Sequence, residues 1–544
     1  MGLPHLTSGF DLVERLDLGT HLKVHGPLAP IGGERLAALA ERIALRGRGG
    51  AGFPFARKLR AVADSAIRRG VRPVVVVNGS EDEPACRKDT VLLNRAPHLV
   101  LDGALLAAEA LGARALVVGV TRDSTQRSME HALAERGLSH RRGAPLRARV
   151  QRNPVRMVTG ESSALIRSAD GGPPKPPGRK VRASEAGVGG APTLLSNAET
   201  FAQLAVAART GADRYRATGL PDEPGTVLLT LSGAVARPLV LEVPSGVPLS
   251  YVLQLAGAPP LLQGVLTGGY HGRWLDAPTA HEAVVARAAL DAVGGALGAG
   301  AVLPLGQDTC PLGEALLVAR WLAGESAGQC GPCHRGLPAA ARGLEDVLQG
   351  GGPAALEALR QVTRAVKRRG ACQHPDGSAA FIESALAAFT DDLAAHVLGG
   401  GCGRTVRAVL PLQAVGEGAS GGGDAGPSGQ RLAVDWTLCQ GHGLCADLVP
   451  ELIQLGPDGY PSTAEVSVPR YAQSRAVRAV RRCPALALRL EGNPTDPAGA
   501  GGGSVLPVLP ARLPARGRHA LGSGPAGRQA PISGRTVRRT TFRR

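Results

Sequence analysis

The sequence predicts a multidomain α/β protein: a parallel α/β domain, a small α+β module, a helical domain, a second α+β module and a low-complexity tail. Three observations carry this reading. A strand–helix–strand pattern runs from Pro73 to Val120, the texture changes to short strands with turn chemistry at Gly225, and cysteines gather in two triplets in the second half. At 544 residues the chain exceeds a single core, which usually serves roughly 100–200 residues. An apolar fraction of 44% supplies core material, and an aromatic fraction of 3% makes it rest on Ala, Val and Leu.

Taken in order, Glu34 to Leu45 repeats apolar residues at helical spacing (Leu36, Leu39, Ala40, Ile43) and runs into a glycine-rich stretch. Pro73 to Val77 is a β-branched run expected as a buried strand, Leu99 to Leu111 a helix, and Ala115 to Val120 the next strand. A strand–helix–strand unit implies a parallel sheet. Gly160 to Pro192, rich in Gly and Pro, is expected as a long functional loop. Val227 to Leu231, Leu239 to Val243 and Val265 to Thr267 are strand-like, with a short helix at Leu249 to Ala256. Leu312 to His396 is helical, Gly399 to Gln430 contains a Gly/Ser/Ala-rich linker, and Leu432 to Leu490 forms the last module. The domain boundaries are set at 1–222, 223–302, 303–400, 401–430 (linker), 431–492 and 493–544 (tail).

The cysteines carry the chemistry. Cys330, Cys333 and Cys372 form one triplet; Cys439, Cys445 and Cys483, the last followed by Pro484, form the other. Thiolates are soft anionic donors, and short Cys arcs closed by a distant Cys-Pro match iron–sulfur ligand spacing. His442 stands where the bacterial ferredoxin run has its second cysteine, as a fourth ligand or as a neighbour of a three-iron cluster. Zinc sites usually pair two arcs or add a His-rich element, and neither is present around the triplets. Cys86, Cys310 and Cys402 stand alone, and Cys86 is read as a small apolar side chain. Met1 to Leu16 contains Asp11, Glu14 and Arg15 and no apolar h-region, and the longest apolar candidate, Leu99 to Val120, is broken by Asp102, Glu109 and Arg114. No transmembrane segment and a cytoplasmic location are therefore expected.

The net charge of +17 is uneven: no acidic residue follows Asp496, while nine arginines run from Arg512 to Arg544. That tail is expected to be disordered. Without interleaved aromatics it makes a poor nucleic-acid platform, so nucleic acid is not the expected partner.

Gly47, Gly49 and Gly52 satisfy G-x-G-x-x-G, but a helix precedes them and Pro54 follows, so the dinucleotide fingerprint fails its context. The longer run from Leu45 through Pro54, with Lys58 after it, instead resembles the flavin loop of the NADH-oxidising flavoprotein subunit of respiratory complex I, a family shared with NAD-linked hydrogenases and formate dehydrogenases. The resemblance continues through Asn78 to Asp89, Pro97-His98, Gly160-Glu161, Lys175 to Pro177, Pro192-Thr193, Asn197 to Thr200 and Glu325 to Cys333. Residues 432–490 separately resemble single-cluster bacterial ferredoxins.

The resemblance implies an α/β FMN-binding domain, a β-grasp insert, a four-helix iron–sulfur domain and a ferredoxin-like domain. Gly47, Gly49, Lys58, Asn78 and Asn197 would hold FMN, and Phe53, Glu81, Glu83, Glu161 and Lys175 would line the NAD(P)H site. The family's first cluster cysteine is Ala327 here, which leaves a three-iron cluster, a four-iron cluster with another last ligand (Cys310 or Cys402), or an empty site. Ser80, Met157, Ser162, Gly178 and Ser196 also depart from the family pattern. A carboxylate lost at Ser162 should relax discrimination against the 2′-phosphate of NADPH. The expected activity is transfer of electrons from reduced nicotinamide through FMN and two 4Fe-4S or 3Fe-4S clusters to a soluble acceptor, a monooxygenase or another oxidoreductase. The competing expectation is an electron-carrier ferredoxin on a flavoprotein scaffold that no longer oxidises NADH.

Overall fold

The computed structural model describes residues 5–138, 146–178, 181–412, 430–435, 438–456, 459–469, 472–491 and the backbone of 508–510. The N-terminal domain opens with helices α1 (Leu18–His25), α2 (Gly33–Arg42) and α3 (Phe55–Arg69). Helix α2 buries Leu36, Ala37 and Ala40 on one face. It stops short of the expected Leu45 because Ala44 turns to φ 47, in the left-handed region. There follow β1 (Val74–Gly79), α4 (Lys88–Arg95), α5 (Pro97–Ala110), β2 (Ala115–Val120), α6 (Asp123–Glu135), β3 (Arg147–Arg152), α7 (Ser162–Ala169), β4 (Thr193–Asn197), α8 (Ala198–Thr210) and α9 (Ala212–Arg216).

The four strands form a parallel sheet in the order β3-β2-β1-β4. Val74 to Val77 are fully buried, as a parallel strand covered on both faces requires. Helix α5, apolar nearly all round, packs against α8. Gly103 makes that approach possible, because a Cβ there would sit 1.8 Å from the Phe201 carbonyl oxygen. The chain proceeds outward from β1 to β3, then crosses back so that β4 lies on the other side of β1. This reversal leaves a crevice at the carboxyl ends of β1 and β4, where Asn78 and Asn197 are register partners.

Next come β5 (Thr226–Leu231), β6 (Leu239–Pro244), β7 (Val247–Pro248), α10 (Leu249–Leu255), β8 (Leu262–Thr267), β9 (Arg273–Asp276), α11 (Ala277–Glu282), β10 (Val284–Val285), α12 (Arg287–Ala292) and β11 (Ala301–Gly306). They build a mixed sheet, β6-β5-β11-β8-β9, in which β5 and β11 are parallel. Val508–Pro510 pairs with β6 as a parallel edge strand, although composition assigns that stretch to a disordered tail; its local Val/Leu run suits an open sheet edge. The rest of the tail expected over 493–544 lies outside the described residues. Glu242, fully buried on β6, accepts hydrogen bonds from Leu6 N (2.8 Å), Thr7 N (2.9 Å) and Thr226 Oγ1 (2.7 Å), clamping the N-terminal segment.

Helices α13 (Pro311–Gly324), α14 (Leu337–Leu348), α15 (Gly352–Val366) and α16 (His374–Ala388) pack in sequence, α16 returns to α13, and α17 (Thr390–Val397) closes the bundle. Its core is continuous with the mixed sheet through Leu266, Tyr270, Trp274, Leu303 and Phe381. The last module has β12 (Arg431–Val434), α18 (Leu444–Leu448), β13 (Glu465–Ser467), α19 (Gln473–Arg482) and β14 (Leu488–Glu491). The strands are antiparallel in the order β13-β12-β14. The linker residues 413–429 lie outside the described residues. Among the described residues no single helix is long and apolar enough to cross a membrane.

Candidate functional site: a nucleotide cleft beside a thiolate cluster site

The glycine loop is closed on itself: Gly47 N donates to the Phe53 carbonyl (2.9 Å) and Phe55 N to the Leu45 carbonyl (2.9 Å). It is bolted down from two sides. Arg48 N donates to Thr200 Oγ1 (2.9 Å) and Arg287 Nη1 to the Gly50 carbonyl (3.0 Å). Gly49 lies against Asn197, where an added Cβ would come within 3.2 Å of the Asn197 Cβ. The loop thus leans on the residue that caps α8.

Asn197 N-caps α8, its Oδ1 accepting from Glu199 N (3.0 Å), while its Nδ2 donates to Asp89 Oδ2 (2.6 Å). Asn78 Nδ2 donates to the Gly160 carbonyl (2.7 Å). Behind them Lys88 is fully buried with its Nζ 2.9 Å from both Asp89 Oδ1 and Glu199 Oε2. Burial opposes its charge, but the carboxylates of Asp89, Glu199 and Glu81 outweigh burial and hold its pKa well above the usual lysine value.

A cavity of about 770 Å³ opens at this crevice. Gly49, Asn78, Glu81, Glu83, Glu161 and Asn197 line it, and so does Cys372 of the first triplet. The acidic residues are committed to the scaffold as well. Glu81 accepts from Asp89 N (3.0 Å) and Thr90 N (2.8 Å) at the start of α4, and Glu83 accepts from Tyr270 N (2.7 Å). Glu161 N-caps α7 through Ser163 N (2.9 Å) and Ala164 N (3.1 Å). That cap explains why an eight-residue helix stands inside the Gly/Pro-rich stretch expected as loop. Burial raises the pKa of Glu81, Asp82 and Glu83, and carries Asp82 and Glu83 to about 7.

Four of the expected residues stand off the cavity wall. Gly47 lies in the loop stem, Phe53 is 48% exposed, and Lys175 is exposed. Lys58 Nζ donates to the Leu195 carbonyl on β4 (2.8 Å), and burial lowers its pKa. The cavity also meets a histidine pair, buried His374 and half-buried His271, that no sequence motif announces. His374 Nε2–H donates to the Leu322 carbonyl (2.8 Å), which fixes its tautomer, so Nδ1 accepts from His271 Nε2–H (3.0 Å). Burial drops the His271 pKa to about 3, so it stays neutral.

These residues fit a flat, phosphate-bearing cofactor. The volume lies within the roughly 300–1,000 Å³ typical of cofactor sites, two carboxamides stand at the strand ends, and the buried Ser80 hydroxyl has no hydrogen-bond partner among the described residues.

Cys330, Cys333 and Cys372 face one another although a bundle turn and a loop before α16 supply them. Burial, and then the charge of Cys330 and Cys372, push Cys333 up to about 12; burial, and then the charges of Glu161 and Cys330, push Cys372 up to about 11. A cationic iron core reverses that shift and takes such thiols as thiolates. Cys310 and Cys402 do not join this triplet; they face His396 instead. Cys86 is buried in the core, as expected of an apolar side chain. In the last module Cys439, His442, Cys445, Cys483 and Pro484 line one hollow of about 20 Å³.

A cleft at a sheet switch point, with Cys372 of the first triplet on its wall, suits a nucleotide-dependent flavin and iron–sulfur oxidoreductase. Residues 40–206 match the Nuo51 FMN-binding domain, 314–396 the NADH-ubiquinone oxidoreductase-F iron-sulfur binding region, and 432–490 the 4Fe-4S single cluster domain. The F subunit of NADH-quinone oxidoreductase from Mycobacterium tuberculosis is 30% identical over 383 residues, 66% of this chain and 83% of that one. The alpha subunit of the NAD-reducing hydrogenase HoxS from Cupriavidus necator is 37% identical over 224 residues, 39% of this chain and 37% of that one. A crystal structure of NAD+-reducing [NiFe]-hydrogenase in the air-oxidized state superposes with a TM-score of 0.62 at 28% identity, covering 73% of this chain and 67% of that one. The chain belongs to the family of the NADH-quinone oxidoreductase F subunit, with a single-cluster ferredoxin domain following the family region.

Proposed function

We propose that this protein oxidises NADH or NADPH at the β1/β4 cleft and delivers the electrons one at a time to its own ferredoxin domain. From there they pass to a soluble acceptor protein, a monooxygenase or another oxidoreductase. The observation that carries this is a single cavity lined both by Gly49, Asn78 and Asn197 and by Cys372. FMN bound there would supply the chemistry of hydride acceptance and one-electron release.

The chain's own residues set the geometry. Asn78 and Asn197 at the strand ends and the Gly49 backbone would hold FMN, and Glu161 at the α7 cap would lie on the nucleotide side of the same cavity. With pKa values carried to about 7, Asp82 and Glu83 bear less negative charge near neutral pH than ordinary carboxylates, which lessens repulsion of an anionic nucleotide. Cys330, Cys333 and Cys372 would hold the first cluster; Cys439, Cys445 and Cys483 would hold the second, with His442 as a fourth ligand or a neighbour. The mixed sheet of residues 223–302 acts as the β-grasp insert, and α13 to α16 as the four-helix iron–sulfur domain. A tether between donor and ferredoxin raises their effective concentration.

An anaerobic titration of the flavin- and cluster-reconstituted protein with NADH and with NADPH tests this. Bleaching of the flavin band, then of the broad iron–sulfur absorption, is the expected result. A protein bleached by dithionite but by neither nucleotide would sink the reductase reading and leave a ferredoxin on an inactive scaffold.

A further inference from the structure

Outside both triplets, Cys310, His396 and Cys402 bring their ligand atoms within 4.8 Å of one another. We propose that these three side chains form a zinc site, separate from the iron–sulfur clusters, that fixes the base of the ferredoxin tether to the helical domain.

The three come from separate places in the fold. Cys310 N-caps α13, where its Sγ accepts from Gly313 N at 3.3 Å. His396 sits in the last turn of α17, and Cys402 follows that helix. The imidazole is already oriented for a metal. Its Nδ1 lies 3.3 Å from the Leu348 carbonyl, so Nδ1–H donates there and the Nε2 lone pair turns toward Cys310 Sγ at 3.4 Å. A backbone carbonyl accepting from the other ring nitrogen is the usual support of a zinc-bound histidine. Tetrahedral zinc, with bonds of about 2.3 Å to sulfur and about 2.0 Å to nitrogen, sets its ligand atoms roughly 3.5–3.8 Å apart. The observed separations need only small side-chain rotations to reach that spacing.

Two soft thiolates and an imidazole favour zinc over the oxygen-seeking cations. Cys310 and His396 are buried and Cys402 is half-exposed, so solvent takes the fourth position. Binding releases the two thiol protons to solvent and changes no oxidation state.

The position gives the site its purpose. Immediately after Cys402 the chain is strapped along α13. The fully buried Glu314 carboxylate accepts from Thr309 Oγ1 (2.7 Å), Arg407 N (3.1 Å) and Val409 N (3.0 Å). Arg404 also pairs with Asp392 of α17. Zinc joining Cys310, His396 and Cys402 secures the upstream end of this strap.

The test uses the full-length protein with its flavin and iron–sulfur content restored, exposed to zinc and then desalted. One zinc per chain is expected by elemental analysis. Cys402→Ser and His396→Gln should each weaken zinc binding at least about a hundredfold in chelator competition, with iron and FMN content unchanged. Cobalt in place of zinc should show a thiolate charge-transfer band and the intense visible bands of four-coordinate cobalt, both lost in Cys402→Ser. Three results would overturn the proposal: no retained zinc and no cobalt–thiolate band; iron lost along with Cys402, which would make it a cluster ligand; or an intact mass showing Cys310 and Cys402 joined as a disulfide.

Discussion

Asn197 holds three things at once, so its removal makes a quantitative test of the cleft. Asn197→Ala deletes the oxygen that caps α8 through Glu199 N and the amide that donates to Asp89 Oδ2 at 2.6 Å. Loss of an N-cap costs about 1 kcal/mol. Asp89 is buried and keeps Lys88 on its other oxygen, so stranding Oδ2 costs about 1–3 kcal/mol more. The Asn78 carbonyl contact, at 3.4 Å, is too long to count. The variant should lose about 2–4 kcal/mol in urea unfolding followed by circular dichroism. Asn197→Ser restores a cap oxygen and should recover about 1 kcal/mol, with Asp89 still unpaired. Both replacements keep the Cβ on which Gly49 rests, so the loop stays in place. Any loss of flavin therefore reports the carboxamide itself: FMN affinity, read by fluorescence titration, should fall tenfold to a hundredfold, or about 1.4–2.8 kcal/mol, in both. Wild-type flavin affinity in the two variants, or equal stability of Ala and Ser, would refute the reasoning.

Further outcomes follow from the same cleft and from the second cluster. Ser162→Glu places a carboxylate at the first residue of α7, beside Glu161 in the cavity, and should lower kcat/KM for NADPH relative to NADH by about tenfold or more; an unchanged ratio would place the nucleotide ribose elsewhere. Asp82 and Glu83, held at about 7 against ordinary values of 3.8 and 4.5, keep protons that the unfolded chain has already released. Their contribution to stability therefore falls as pH rises from about 4 through about 7 and is level above that. Asp82→Asn removes one of these slopes, so urea midpoints should show the variant gaining on wild type between about pH 4 and about pH 7; a constant difference would show that Asp82 ionises normally. His442→Ala should change the type or potential of the second cluster in redox-poised electron paramagnetic resonance, and an unaltered spectrum and potential would make His442 a neighbour only.

Two strands of the parallel sheet, β1 and β2, were legible because their valine-rich runs are buried and carry their own signal. By contrast β3, Arg147–Arg152, is polar and only partly buried and β4 is a short Thr/Leu/Ser run, and neither is legible as a strand. Boundaries were less legible where a single residue decides them. Ala44 ends α2 through its backbone angle, and Glu161 starts α7 in a stretch whose later glycines and prolines mask the helix. The cavity wall was readable at Gly49, Asn78 and Asn197, since each belongs to a contiguous motif. Lys58, Phe53 and Lys175 belong to the same motifs, but their side chains take other contacts or solvent. His271 and His374 are far apart in sequence, and Cys310 is as distant from the neighbouring His396 and Cys402. Only the packing of the sheet against the bundle, and of the bundle on itself, brings them together, and no local spacing announces that.

Ala327 is where this chain departs most sharply from an arc of three thiolates, and the surrounding structure says what restoring one should do. Glu325 is anchored, its Oε2 accepting from Met157 N (2.7 Å) and meeting Arg156 Nε (3.1 Å), and Ser326 lies within hydrogen-bonding reach of Cys333. The segment leading into Cys330 is therefore held at its first residues, and a side chain at position 327 starts from a fixed stem. Gly328, at φ 68, turns the backbone immediately after it. Ala327→Cys gives a C-x-x-C-x-x-C arc plus Cys372, the four-thiolate set that suits a four-iron cluster. The wild-type protein, with three thiolates, should show a three-iron signal in the oxidised state from its helical domain, and Ala327→Cys should lose it and gain a signal on reduction. Because the ferredoxin cluster contributes its own spectrum, both proteins are compared with Cys439→Ser in the background. Identical spectra with and without the added cysteine would mean that the first site already has a fourth ligand, and that the arc at 327 is not part of it.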